Sequence, residues 1–124
     1  MKTTREPIEF CRGDILWIDC DPSIGAEPRK VRSCVVVSNE LANRFGSTLT
    51  VVPTLKYSAE RIGRPFVVDL RRPRSTMDEA RVANASLVTT YDRGRVGSRA
   101  GRVAVDAMKA IDRAITVHLA LDNP

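Results

Sequence analysis

The chain has 124 residues, 43% of them apolar, and a net charge of +5 that comes mainly from 16 arginines among its 20 basic residues. This length suits one compact domain spanning residues 1–124, and the absence of a long apolar run argues against a membrane span. The charged residues 1–10 lack the apolar centre of a secretory signal, which predicts an N-terminal extension on a cytoplasmic protein.

The first half of the chain shows strand-length apolar runs separated by polar segments. A turn at Arg12-Gly13-Asp14 opens a strand, and the breaker-rich loop after it is long enough to carry function. Pro53 cannot donate to a ladder, which predicts a sheet edge or bulge there. In order, we expect a strand at Ile15–Ile18, a loop at Cys20–Lys30, a strand at Ser33–Ser38, a helical turn at Asn39–Phe45 and a strand at Thr48–Leu55.

The second half predicts further strands and one clear helix. Polar loops are expected at Lys56–Pro65 and Arg71–Asp78, a strand at Phe66–Leu70, one or two strands within Ala80–Tyr91, and a Gly/Arg turn region at Arg93–Gly101. Apolar residues from Val105 to Leu119 recur every three or four positions, which predicts a helix over 105–119. The predicted fold class is mainly β with short helices: a small antiparallel sheet curled into a compact barrel and closed by the C-terminal helix.

Few chemistries fit the residues that are present. His118 is the only histidine, and the three cysteines (Cys11, Cys20, Cys34) lack the paired spacing of a zinc site or disulfide framework. The sequence therefore predicts no metal and no cofactor. Arginines, hydroxyls and carboxylates remain, and arginine binds phosphate in bidentate fashion. A nucleic-acid partner and a merely solvated basic surface explain the composition equally well.

Several motifs, taken in order, resemble the MazF/PemK toxins over roughly Cys11 to Leu121. The chain carries Arg-Gly-Asp before an apolar strand, Gly-x-Glu-x-x-x-x-Arg spacing, an apolar strand that ends in Asn, and a third strand that ends in a hydroxyl residue. These motifs lie at residues 12–19, at Gly25, Glu27 and Arg32, at 35–39, and at Val51-Val52-Pro53-Thr54.

The resemblance implies an SH3-like β-barrel that forms a homodimer and cleaves single-stranded RNA at short motifs without metal. The products would carry a 2′,3′-cyclic phosphate and a 5′-hydroxyl. Arg32 would be the main catalytic residue and Thr54 would hold the scissile phosphate, with Glu27, Arg29, Lys30 and Lys56 as RNA-binding candidates. An acidic cognate antitoxin would neutralise such a toxin by occupying its RNA groove.

The resemblance is imperfect, and other interpretations stay open. The family often has glycines before the arginine and a proline after it, whereas Pro28 to Ser33 reads Pro-Arg-Lys-Val-Arg-Ser here. Thr89 stands where many members carry a second arginine. Arg32 could instead be a strand-edge partner of Glu27, and Thr54 an ordinary strand residue. The alternative functions are a CcdB-like gyrase-inhibiting toxin, whose Trp-Gly-Ile ending this chain lacks, and a non-catalytic SH3-like nucleic-acid-binding module.

Overall fold

The computed structural model describes residues 9–27 and 30–122, which form one antiparallel sheet with three helices. The β-branched runs become its central strands, as predicted from the sequence. The strands are β1 (Asp14–Asp19), β2 (Val31–Val36), β3 (Thr48–Lys56), β4 (Val67–Asp69), β5 (Arg81–Asn84), β6 (Thr89–Asp92) and β7 (Val96–Arg102). The helices are α1 (Glu40–Phe45), α2 (Ala59–Ile62) and α3 (Val105–His118).

The sheet follows the order β4-β5-β3-β2-β1-β7, and β6 also pairs with β3. Within the described ranges β4 and β7 end this path without pairing to each other, so the barrel-like sheet is not closed. Strand β3 changes partner along its length, from β6 at Thr48–Val51 to β5 at Thr54–Lys56. Pro53 lies at this change, where a missing N–H does not interrupt either ladder. The predicted sheet edge or bulge is wrong, because β3 is a central strand and Pro53 pairs with Cys34 of β2 in an unshifted register.

Each face of the central strands packs a separate apolar cluster. We call one side the helix face: Ile15, Val35 and Val52 pack there with the buried residues of α3. The other side, which we call the arginine face, carries Leu16, Ile18, Cys34, Val36 and Val51. Because side chains alternate along a strand, every residue of β1, β2 and β3 belongs to one face or the other.

The Arg-Gly-Asp motif serves the packing of β1. Gly13 has φ of +90°, a conformation that glycine adopts without steric cost. The buried Asp14 carboxylate accepts the Cys11 N–H at 2.9 Å and forms ion pairs with Arg99 at 3.2 Å and Arg102 at 2.5 Å, both on β7. The motif therefore joins the start of β1 to its neighbour strand.

Three details differ from the sequence-based expectations. Most of the turn region expected at Arg93–Gly101 instead belongs to strand β7 (Val96–Arg102), because β1 supplies a pairing partner. The loop predicted at Lys56–Pro65 contains α2, which Ser58 caps by accepting the Arg61 N–H. Helix α3 is confirmed and has no side-chain cap at Ala104, but its buried positions are Ala107, Ile111 and Ala114, while Val105 is exposed.

None of the helices formed by the described residues has the length and apolar character needed to cross a membrane.

Candidate nucleic-acid interface

Arg32 is the second residue of β2 and lies on the arginine face. It pairs with Ile18 of β1, and the register places it on the same side as Cys34 and Val36. The side chain is half-buried, and the residue takes part in an interaction of its own within the protein. The apolar run that follows Arg32 fixes its strand, and the alternation of that strand fixes the face on which the guanidinium emerges.

Thr54 lies on the opposite face from Arg32. Its hydroxyl is 2.6 Å from the hydroxyl of Ser33, the residue next to Arg32, and the two hydroxyls share a hydrogen bond inside the protein. Neighbouring positions of a strand point to opposite sides, so a side chain that meets Ser33 cannot also meet Arg32 across the same pair of strands. The structure therefore does not bring the two predicted catalytic side chains together.

The Thr54 hydroxyl belongs to a buried polar network on the helix face. Arg81 donates from Nε to Thr54 Oγ1 and from Nη2 to the Thr54 carbonyl, both at 3.1 Å, and from Nη1 to Glu79 at 2.9 Å. Ser33 and Thr54 are fully buried, and Arg81 is 8% exposed. No sequence pattern singled out Arg81, because a buried arginine is recognisable only from its partners.

Leu55 takes the position that faces Arg32. The β2–β3 register pairs Cys34 with Pro53, and continuing it by two residues sets Leu55 opposite Arg32. Leu55 is half-buried. At this position the arginine face thus carries an aliphatic side chain from β3, while Thr54, the hydroxyl residue named by the resemblance, lies on the helix face against Ser33.

The β1–β2 loop carries three of the four predicted RNA-binding residues, all but Lys56. The exposed Glu27 accepts the Ile24 N–H at 2.7 Å through its carboxylate. Lys30 is exposed with φ of +59°, and its N–H donates to Asp21 Oδ1 at 2.9 Å. Arg29 lies outside the described residues. The loop therefore brings one described cation, Lys30, within two residues of Arg32.

Lys56 ends β3 and is exposed. Strand alternation places it on the same side as Thr54, so it lies away from Arg32. Its carbonyl accepts a hydrogen bond from Arg61 Nη1 at 2.6 Å, which ties it to α2.

The thiols of Cys20 and Cys34 and the phenol of Tyr91 lie close together near the β2 strand that carries Arg32. Cys34 Sγ is 3.8 Å from the Arg32 carbonyl, and Cys20 Sγ is 3.5 Å from the carbonyl of Ile18, the pairing partner of Arg32. A hydrogen bond from Cys34 lowers the pKa of the Cys20 thiol, and the same bond together with burial raises the pKa of Cys34. Burial, and then a hydrogen bond with Cys20, raises the pKa of Tyr91. The two thiols therefore pack against the backbone of Arg32 and of its pairing partner Ile18.

A polar pocket of about 680 Å³ opens on the arginine face between the β1–β2 loop and β6. The register places Thr89 and Tyr91 of β6 opposite Val51 and Leu49, both of the arginine-face cluster. The size of the pocket and the hydroxyl and carboxylate groups that line it suit a polar ligand with hydrogen-bonding edges. Its lining comprises Cys20, Pro22, Ala26, Glu27, Ser86, Leu87, Val88, Thr89, Thr90, Tyr91, Asp92 and Arg95.

The single histidine is remote from this face. His118 ends α3, and its ring meets Phe66 edge-on with 5.0 Å between centroids. Both residues belong to the helix side of the sheet, where α3 packs. A general-base role for His118 beside Arg32 is therefore excluded by position.

The architecture matches that of solved toxin structures. Crystal-form I of MazF from Deinococcus radiodurans superposes with a TM-score of 0.78 at 19% identity, over 91% of this chain and 98% of that one. An endoribonuclease from a mycobacterial species, solved with its cognate antitoxin, gives a TM-score of 0.71 at 20% identity, over 94% and 98% of the two chains. At such identities these likenesses define the fold, a curled antiparallel sheet with a C-terminal helix.

The sequence defines the family as well. The model of the PemK-like, MazF-like toxins of type II toxin-antitoxin systems matches residues 11–119, and the chain belongs to this family. It is 26% identical over 110 residues to endoribonuclease EndoA of Bacillus subtilis, covering 89% of this chain and 94% of that protein. It is 24% identical over 112 residues to endoribonuclease MazF of Staphylococcus epidermidis, covering 90% and 92% of the two.

Proposed function

We propose that this chain is a sequence-specific, metal-independent endoribonuclease and that Arg32 is its catalytic residue. The observation that carries the proposal is the shared face: Arg32 does not line the polar pocket, but it emerges on the same side of the sheet. Family membership and the names of the two endoribonuclease relatives support the reaction class.

The chemistry needs only positioning and positive charge. The 2′-oxygen attacks the neighbouring phosphorus and loses its proton, a new P–O2′ bond forms, and the P–O5′ bond breaks as the departing oxygen takes up a proton. The transition state carries extra negative charge on the phosphoryl oxygens, which a preorganised guanidinium stabilises. Arg32 stays charged at cellular pH and offers a planar set of donors, so it supplies this stabilisation and guides the proton transfers.

We assign no phosphate contact to Thr54. Its hydroxyl is enclosed on the helix face and already meets Ser33 and Arg81. A phosphate over Arg32 would lie across the sheet from it. The buried network supports a role for Thr54 in holding β2 against β3 and thereby in fixing the strand that presents Arg32.

The RNA path follows the β1–β2 loop and the pocket. Lys30, with Arg29 beside it in sequence, supplies phosphate contacts. The Glu27 carboxylate lines the pocket and is suited to accept a hydrogen bond from an exocyclic amino group of a base. Lys56, on the other side of β3, serves at most the margin of this path.

The proposed partners are an acidic antitoxin and a second copy of the chain, and the proposed location is the cytoplasm. One mycobacterial relative was solved with its cognate antitoxin, and two described apolar side chains of β1 and β2 remain exposed, Trp17 at 37% and Val31 at 56%. Light scattering on the purified protein tests the dimer: a mass near 27 kDa, twice 13.7 kDa, is expected, and a monomer at micromolar concentration would contradict it.

The decisive experiment compares the wild type with Arg32→Ala on a long single-stranded RNA in EDTA. Arg113→Ala is the matched control, since Arg113 is an exposed arginine of α3 far from the arginine face. We expect discrete cuts with cyclic-phosphate ends from the wild type and the control, and a loss of at least about 10²-fold for Arg32→Ala. Intact RNA with all three proteins, across several substrates, would refute the ribonuclease function. Retained RNA binding in that case would favour the non-catalytic nucleic-acid-binding module.

Salt dependence tests the loop cations separately. The Arg29→Ala, Lys30→Ala double variant removes two phosphate contacts, so the slope of log affinity against log salt should fall by about 1.4 on single-stranded RNA. The control double variant Lys109→Ala, Arg113→Ala removes the same charge from α3 and should leave the slope unchanged. Equal slopes for both double variants would count against the loop contacts.

A further inference from the structure

Arg95 reaches from the far side of the pocket to the base of the β1–β2 loop. It ends the short helical turn Arg93–Arg95 between β6 and β7. Its Nη1 donates to the Asp19 carbonyl at 3.0 Å and also to the Asp21 carbonyl. Its guanidinium carbon lies 5.7 Å from the centre of the Tyr91 ring, and the side chain is half-buried. One side chain thus joins the turn after β6 to the chain just beyond β1.

The two ends of the loop are themselves tied together at this point. The Cys20 N–H donates to the Lys30 carbonyl at 2.7 Å, and the Lys30 N–H donates to Asp21 Oδ1 at 2.9 Å. Arg95 therefore hydrogen-bonds the loop at Asp21, the residue whose carboxylate accepts the Lys30 N–H. Two residues after Lys30 the chain reaches Arg32.

Lys30 adopts a backbone conformation that needs this support. Its φ of +59° is left-handed, which is sterically unfavourable for a residue with a Cβ. Such a conformation persists only where the surroundings over-determine it. Hydrogen bonds on both its N–H and its carbonyl do so here, and Arg95 fixes the segment that supplies them.

We propose that Arg95 is a positioning residue that holds the entry of β2, and through it Arg32, in the reactive geometry. The inference rests on the proposed ribonuclease function. Arginine suits the task because its planar head can bond two carbonyls at once while stacking on an aromatic ring. Both bonds come from Nη1. A lysine side chain is one bond shorter and its ammonium has no flat face to lie against the Tyr91 ring, so Arg95→Lys should not restore the arrangement.

A direct phosphate contact by Arg95 is the competing explanation, because Arg95 also lines the pocket. The two roles differ in what they change. Loss of a phosphate contact weakens RNA binding, raises KM and lowers the salt slope by about 0.7. Loss of a positioning contact lowers kcat, leaves the salt slope unchanged and loosens the loop, since a displacement of about 1 Å at a reacting group can cost about 10²-fold in rate.

The experiment compares Arg95→Ala and Arg95→Lys with the charge-matched control Arg113→Ala. Steady-state cleavage should show kcat reduced about 10- to 100-fold for both Arg95 variants, with KM and the salt slope near wild type. Hydrogen–deuterium exchange should rise several-fold in peptides covering residues 20–31 while exchange in β3 stays unchanged. The control should match the wild type in all measurements.

A double-mutant cycle tests the route through Asp21. Asp21→Ala removes the carboxylate that holds Lys30 and should itself lower kcat. If Arg95 acts through this segment, Arg95→Ala adds little to it, so the two effects are clearly non-additive. If instead the reductions in kcat from Asp21→Ala and Arg95→Ala multiply in the double variant, the proposed route through Asp21 is overturned.

The results separate this inference from the proposed function. Unchanged exchange in residues 20–31 after Arg95→Ala overturns the positioning role even if the RNA is not cut. A lower salt slope with unchanged kcat overturns it in favour of a phosphate contact. If Arg32→Ala cleaves like the wild type, the proposed catalytic centre fails, whatever Arg95 does to the loop.

Discussion

Replacing Thr54 with valine separates a structural from a catalytic role for this residue. The change keeps the side-chain shape but removes the hydroxyl that Ser33 Oγ meets at 2.6 Å and Arg81 Nε at 3.1 Å. A buried polar group left without its partner costs about 1–3 kcal/mol. Ser33 is fully buried and loses this partner, whereas Arg81 keeps its bonds to Glu79 and to the Thr54 carbonyl. We expect a loss of about 2–3 kcal/mol in the free energy of unfolding.

Thr50→Val on the same strand is the matched control. Thr50 makes a similar hydroxyl pair with Thr90 at 2.9 Å, but at an exposed position where water can replace the lost partner. Its cost should stay within about 0.5 kcal/mol. Urea unfolding followed by circular dichroism measures both variants. In a chain of this length 2–3 kcal/mol corresponds to a fall in Tm of roughly 6–15 °C.

The cleavage assay, run well below both unfolding midpoints, completes the test. A structural Thr54 leaves kcat within about threefold of wild type, whereas loss of a donor to the scissile phosphate would lower the rate about 10²–10³-fold. The Ser33→Ala, Thr54→Val double variant should be less destabilised than the sum of the single variants, because both hydrogen-bonding partners are removed together. Unchanged stability with a hundredfold slower reaction in Thr54→Val would refute the reasoning.

Three further predictions concern single positions. Lys30→Gly relieves the left-handed strain but loses some chain entropy, so urea unfolding should show equal stability or a gain of up to about 1 kcal/mol, and a clear loss would contradict the strain argument. Leu55→Thr places a hydroxyl opposite Arg32, and cleavage should accelerate about tenfold; an equal or slower rate would count against this register. A hydrogen bond from Arg71 lowers the pKa of Asp69 in the folded protein, so ionised Asp69 stabilises the fold at pH values above its unfolded-state pKa of about 3.9. Unfolding at several pH values should therefore show wild type more stable than Asp69→Asn at pH 7. This advantage should shrink as the pH falls below about 3.9.

Periodicity predicted the central elements because local pattern and tertiary structure agree there. The predicted run from Ser33 to Ser38 overlaps β2, which pairs with β1 on one side and with β3 on the other, and its β-branched residues fit a buried strand. Strand β7 was missed for the opposite reason. Gly97, Gly101 and two arginines favour a turn locally, and only pairing with β1 makes the segment a strand. Local preference could not reveal a partner that lies some 80 residues earlier.

The candidate site was predictable in its residue types and only partly in its geometry. The spacing from Gly25 to Arg32 located the arginine, and its strand follows from the apolar run after it. The roles of Arg95 and Arg81 were not accessible from sequence, because each depends on contacts with distant backbone or side-chain atoms. In sequence, an isolated arginine shows no pattern that distinguishes a positioning residue from a solvated surface charge.

The placement of Thr54 shows why residue type has to be combined with strand register when a β-sheet site is predicted. The motif comparison identified Thr54 by its residue type, as the hydroxyl residue that ends a strand, and it carried no information on the face to which that side chain points. Neighbouring positions of a strand face opposite sides, so a shift of one residue moves a side chain from the substrate face to the interior. The contact between Ser33 and Thr54 at 2.6 Å fixes the register and with it the face. The charge stabilisation assigned to this site therefore depends on Arg32 and on the loop that presents it, and any second donor must come from a residue on the arginine face.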